Sequence, residues 1–187
     1  GPALYHALAD GLRAAGTDVT GTGMCGTEEI YYASFAQNFD GGIMVTGSHN
    51  PADENGFKMV RGGAVPVSGD SGLFAIRDRI AEGLDVPAQL KGSFVETSFR
   101  DEYVEHLLSY VHPDSFKRFR IVADPGNGCA GLIIKKLADR LPLDIELIHG
   151  EPDGTFPNGV PNPLLPENRA LTSRAVREYG ADFGLAW

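Results

Sequence analysis

Short apolar runs alternate with amphipathic stretches along this chain, and the alternation starts afresh near residue 99. Leu4, Leu8 and Leu12 recur at helical spacing behind Pro2, which suits a first helical position, and Gly16 can end the helix predicted over residues 2–15. Val19 to Met24 reads as a short strand running into a loop. Ile30, Tyr31, Ala33, Ser34 and Phe35 place a second helix over residues 28–37. Gly41-Gly42-Ile43-Met44-Val45-Thr46 is a short apolar run of the buried-strand kind. Phe57-Lys58-Met59-Val60 alternates like another strand, and Leu73, Ile76 and Ile80 mark a helix closing near Gly83. Residues 84–98 read as a connecting segment.

The second round begins with a helix marked by Tyr103, Leu107, Leu108 and Val111. A strand follows over residues 119–123, then the turn Asp124-Pro125-Gly126-Asn127-Gly128 and a helix to about Arg140. A strand over residues 144–149 leads into an irregular loop holding Pro152, Pro157, Pro161, Pro163 and Pro166. A helix over residues 167–179 and a strand over residues 182–187 complete the pattern. Such alternation implies an α/β fold with mixed, largely parallel sheets, helices on both faces and two consecutive domains, 1–98 and 99–187. Ligands in open α/β sheets bind beyond the carboxyl ends of strands. A loop following Trp187 is therefore expected to carry chemistry, and the chain is expected to be a piece of a longer protein with its second domain cut short.

Composition narrows the function classes. A formal net charge of −9 argues against a general nucleic-acid binder, which needs a basic stripe to meet phosphates. No apolar run approaches the ~20 residues of a membrane span, and no basic-then-apolar signal segment opens the sequence. The expectation is no membrane partner and a cytoplasmic location. Cys25 and Cys129 lie far apart and read as reduced thiols.

The loop Thr46-Gly47-Ser48-His49-Asn50-Pro51 is the most informative segment. It follows a buried strand, so the Ser48 hydroxyl is presented at a strand's carboxyl end. Gly47 allows close backbone approach, and Asn50-Pro51 fixes an extended or turn-like exit. His49 and Lys58 supply nearby cationic or hydrogen-bonding groups. A serine that accepts a phosphoryl group splits one transfer into two half-transfers. Its phosphate then carries about −1.5 to −2 charge and needs cationic donors or a metal. Read from these residues alone, the favoured reading of Ser48 is an N-cap or turn serine. It is not a GxSxG elbow, since Asn50 stands in place of the second glycine.

Val45-Thr46-Gly47-Ser48-His49-Asn50-Pro51, followed by Asn55-Gly56-Phe57-Lys58, resembles the active-serine loop of the α-D-phosphohexomutases. The second position, often alanine in that family, is Gly47 here. Three further segments match in order: Val122 through Gly131, the Pro-rich loop from Pro152 to Asn168, and Ala181 to Trp187. The last resembles the strand before the family's metal loop, D-G-D-x-D-R. Gly26-Thr27-Glu28-Glu29-Ile30-Tyr31 is most similar to the bacterial phosphomannomutase branch.

The resemblance implies interconversion of mannose 6-phosphate and mannose 1-phosphate through phospho-Ser48 and a hexose 1,6-bisphosphate, with His49 and Lys58 assisting. It implies Mg²⁺, held in part by the Ser48 phosphate and otherwise by aspartates beyond Trp187. Glucose 1,6-bisphosphate is implied as activator. Phosphoglucomutase and phosphoglucosamine mutase are alternatives within the family. A non-catalytic phosphosugar-binding piece, or one that self-associates through an open sheet edge, is an alternative outside it. Glu28-Glu29 reads as a solvated helix start, the Asp124–Gly128 turn as a structural βα turn, and Arg61 as an exposed loop charge. The remaining histidines, His149 among them, show no ligand spacing.

Overall fold

A computed structural model describes residues 1–83 and 88–187. The first four residues of the expected connecting segment 84–98 lie outside the described residues. The chain forms two compact units. The first comprises Gly1–Gly23, Thr27–Thr46 and Asn55–Phe99, and the second Met24–Gly26, Gly47–Glu54 and Arg100–Trp187.

In the first unit, helix α1 (Pro2–Ala14) begins at the proline and leads to strand β1 (Val19–Gly21). Helix α2 (Thr27–Ala36) follows, then β2 (Gly41–Thr46), β3 (Gly56–Arg61) and the two-residue β4 (Val65–Pro66). Helix α3 spans Leu73–Ala81 and β5 spans Phe94–Glu96. Strands β2, β3 and β4 form an antiparallel sheet, where the sequence pattern suggested largely parallel pairing. Length explains the difference. Thr46 pairs with Gly56, so the nine residues 47–55 join the strands, and a parallel crossover needs a dozen or more.

Strand β5 was not expected. Its three residues are all exposed and show no strand periodicity, but they pair in parallel with β1. Asp18 holds the junction by accepting from the Ser93 amide and hydroxyl, each at 2.7 Å. These bonds, the hydroxyl's first, hold the Asp18 carboxyl below its usual value. Arg13 of α1 donates to the Gly92 carbonyl at 3.1 Å and covers the Phe94 ring.

The buried face of α2 presents Ile30, Ala33 and Ser34 to β2. A Cβ added to Gly42 would lie 2.3 Å from Ser34 Oγ, so helix and strand meet at backbone distance. Glu29 departs from the expected solvated helix start, for only 5% of it is exposed. Its place in the first turn gives a buried carboxylate the favourable end of the helix dipole. An apolar cavity of about 550 Å³ lies among Leu8, Leu12, Val19, Ile30 and Ile43, with β1 and β2 in separate sheets.

The second unit follows the pattern closely. Helix α4 (Arg100–Leu108) precedes β6 (Arg120–Asp124), α5 (Ala130–Ala138), β7 (Asp144–Leu147), α6 (Ala170–Glu178) and β8 (Phe183–Ala186). A 3-10 turn at Pro166–Arg169 takes up the first turn of the expected last helix. The sheet is parallel, in the order β7-β6-β8. The apolar run Ile121-Val122-Ala123 is buried because β6 is central. The chain leaves β6 on one side to make β7 and returns on the other to make β8. With right-handed crossovers the two connections use opposite faces, which opens a crevice at the carboxyl ends of β6 and β8.

Candidate active site

The residues leaving β2 form a compact loop. The Asn50 amide donates to the Gly47 carbonyl at 2.9 Å, and the Glu54 amide to that of Pro51 at 3.0 Å. A Cβ on Gly47 would stand 2.9 Å from the Glu54 carbonyl oxygen, so a side chain here would need the loop's base to shift. Ser48 has a φ of 53°, in the left-handed region that L residues avoid. Ser48, His49, Asn50 and Pro51 are all exposed. A serine held in a sparsely populated backbone state at an exposed loop is the kind of strained position found at functional sites.

A stability test follows from that backbone. Left-handed φ costs an L residue roughly 1–2 kcal/mol, and glycine gives back about 0.4–1 kcal/mol through unfolded-chain entropy. Ser48→Gly is therefore expected to be more stable than Ser48→Ala by about 0.5–1 kcal/mol. Paired denaturant titrations check this, and a Ser48→Ala variant as stable as Ser48→Gly contradicts it.

His49 reaches a residue far along the chain. Its Nδ1 lies 2.5 Å from the carbonyl oxygen of Pro161. Both belong to the second unit, with which Gly47–Glu54 clusters. Lys58 belongs to the first unit, on β3 opposite Met44, with its side chain exposed.

At the carboxyl end of β6 lies a polar network that motif spacing did not reveal. Asp124 is 6% exposed. Its Oδ2 accepts from the Thr172 hydroxyl at 2.7 Å. Its Oδ1 accepts from the Gly126 amide at 3.1 Å and lies 2.9 Å from His149 Nδ1. These residues line a cavity of about 140 Å³ together with Pro161, Asn162 and Trp187, at the crevice where the two connections diverge. His149 sits 25 residues from Asp124, so no local spacing could have paired them.

The turn after β6 is structural, as expected. The Gly126 amide is taken by Asp124, that of Asn127 by the His149 carbonyl, and that of Gly128 by the Pro125 carbonyl. Those amides are therefore not available to an anion. The Asn127 side chain also donates to Glu151 and accepts from Asn158, binding the turn to the Pro-rich loop. Within that loop, the Thr155 hydroxyl and then the Thr155 amide hold the Asp153 carboxyl below its ordinary value. The stability this turn contributes is present above the unfolded value and is lost as pH falls through the lowered folded one.

Mg²⁺ needs a near-octahedral set of oxygens. Among the described residues no group of three or more histidine, cysteine, aspartate or glutamate side chains is placed to hold a metal ion. The described residues do not by themselves make the implied Mg²⁺ site. No described helix is long and apolar enough to cross a membrane.

Comparison with known proteins bears on the family and the fold. The family model described as phosphoglucomutase/phosphomannomutase, alpha/beta/alpha domain I, matches residues 1–85, and that for domain II matches residues 101–187. A protein of Xanthomonas campestris pv. campestris named for phosphohexose mutases is 53% identical over 188 residues, covering 100% of this chain and 42% of that protein. A phosphomannomutase of Salmonella montevideo is 50% identical over 99% of the chain and 42% of its own length. The crystal structure of a phosphoglucomutase/phosphomannomutase family protein from Burkholderia thailandensis superposes on the whole chain and 41% of its own, with a TM-score of 0.88 and 36% identity. The chain thus spans less than half the length of these relatives.

Proposed function

Because the chain belongs to the phosphoglucomutase/phosphomannomutase family, we propose that it carries the phosphoryl-bearing serine of a mutase acting on mannose phosphates. The observation that carries this reading is Ser48, held at a left-handed φ in an exposed loop. The roughly half-identical phosphomannomutases support the choice of mannose.

The proposed reaction runs in two half-transfers. Phospho-Ser48 gives its phosphoryl group to the free O1 hydroxyl of mannose 6-phosphate. The bond from phosphorus to Ser48 Oγ breaks as the bond to O1 forms. The hydroxyl gives up its proton, and Oγ gains one. The mannose 1,6-bisphosphate then turns over, and its 6-phosphoryl group returns to Ser48, leaving mannose 1-phosphate. Positioning and charge neutralisation are the main contributions a protein makes to such transfers. His49 is proposed to handle the proton, and the Lys58 ammonium to offset phosphate charge. Mg²⁺ and glucose 1,6-bisphosphate are proposed by family relationship; the Ser48 phosphate and aspartates beyond Trp187 would hold the metal, which would supply charge neutralisation.

Two measurements test the reading. Labelled glucose 1,6-bisphosphate should transfer its phosphate to Ser48, located by phosphopeptide mapping. A protein of the relatives' full length carrying this chain should convert mannose 1-phosphate in preference to glucose 1-phosphate in a coupled assay. Label on another residue, or preference for the glucose substrate, overturns the proposal at the corresponding level. A polypeptide of these 187 residues alone is expected to show little or no turnover with Mg²⁺ and glucose 1,6-bisphosphate. Turnover near that of a full-length relative contradicts that expectation.

A further inference from the structure

The contact between His49 and Pro161 has a chemical direction. A proline carbonyl only accepts, so the His49 nitrogen facing it must carry the hydrogen. In the neutral ring, the hydrogen on Nδ1 leaves the lone pair on Nε2. Which imidazole nitrogen is the base, on the residue next to Ser48, is thus decided by the placement of one backbone carbonyl.

That carbonyl is held from two directions. Asn168 clamps the segment on both flanks of Pro161, since its Nδ2 donates to the Val160 carbonyl at 3.4 Å and to the Asn162 carbonyl at 3.0 Å. Arg169 continues the clamp by donating to the Pro163 and Leu164 carbonyls at 2.6 and 2.8 Å. On the other side Pro161 packs on Gly126, where an added Cβ would stand 2.5 Å from Pro161 Cβ. Gly126 has a φ of 57°, and its amide is tied to Asp124, the carboxylate that also binds His149 and Thr172.

We propose that Gly126 and Asn168 are positioning residues for His49: by fixing the Pro161 carbonyl they hold the neutral His49 ring as its Nδ1–H tautomer, with Nε2 as the lone-pair nitrogen. The benefit to catalysis rests on the mutase reading above, whereas the tautomer does not and is measured without turnover. Gly126→Ala drives a methyl group into Pro161 and displaces its carbonyl. Asn168→Ala releases the flanking peptide groups and leaves the turn after β6 untouched.

The test is a long-range ¹⁵N–¹H correlation spectrum of the ¹⁵N-labelled protein, at a pH where its histidines are neutral. His49 is assigned by its loss in His49→Gln. A net hydrogen bond of ordinary strength should favour the Nδ1–H form by about fivefold. In Gly126→Ala and in Asn168→Ala that preference should fall to about even or reverse. An Nε2–H majority in the unaltered protein overturns the proposal at once. Nδ1–H preference retained in Asn168→Ala overturns the positioning role, and this variant decides if Gly126→Ala does not fold. Failure to label Ser48 with unchanged spectra would remove the mutase reading and leave the tautomer assignment standing.

Discussion

Ser48→Ala, in a protein of the relatives' full length carrying this chain, should lower kcat by on the order of 10⁴-fold or more. Removing Oγ removes the atom that gives up the phosphoryl group in the first half-transfer and receives it in the second, so both fail together. KM should change little, because the hydroxyl is proposed to react rather than to bind the sugar. The measurement is a coupled steady-state assay, with phosphate from labelled glucose 1,6-bisphosphate followed to the serine peptide. Turnover within about tenfold of the unaltered enzyme would remove Ser48 from the reaction. Ser48→Gly should be equally inactive while being the more stable of the two, which separates chemistry from backbone strain.

The largest loss of stability is expected from Asp124→Ala. One buried carboxylate receives the Thr172 hydroxyl and the Gly126 amide and pairs with His149. Truncation strands the buried Thr172 hydroxyl and the half-buried Gly126 and His149 groups at the end of the central strand, at a cost of about 3–5 kcal/mol. Trp187 is the only tryptophan, and it lines the same cavity. Its fluorescence therefore reports on the second unit during denaturant unfolding. Asp124→Asn should lose less, because an amide oxygen still accepts from Thr172. A loss below about 1 kcal/mol in Asp124→Ala would mean that the network contributes little.

Legibility of the fold followed the physics of each element. Ile121-Val122-Ala123 was readable because a central strand covered on both faces needs an unbroken apolar run. Helix α1 was readable from Pro2 and the leucines four apart. Strand β5 was not, because its exposed Phe94-Val95-Glu96 owes its extended state to pairing with β1 some seventy-five residues earlier. The sense of the sheet in the first unit needed the strand ends as well as their existence. Once residues 47–55 join β2 and β3, antiparallel pairing is the geometry that fits.

The Ser48 loop was legible as a motif. Residues 46–51 are contiguous, and a loop after an apolar strand is a local property of the chain, although β2 is only half-buried in the fold. Its ordered companions, from the turn after β6 to Ala181 through Trp187, carried the family assignment. Sequence by itself thus determined the strand–helix alternation and the family, and singled out the serine proposed to react, because each is written in neighbouring residues. Only the tertiary structure decided that His49 turns Nδ1 to Pro161, more than a hundred residues away, and that Asp124 meets His149 and Thr172. Hydrogen-bond direction and burial depend on which distant backbone and side-chain groups the fold brings within 3 Å, and chain spacing holds no record of that.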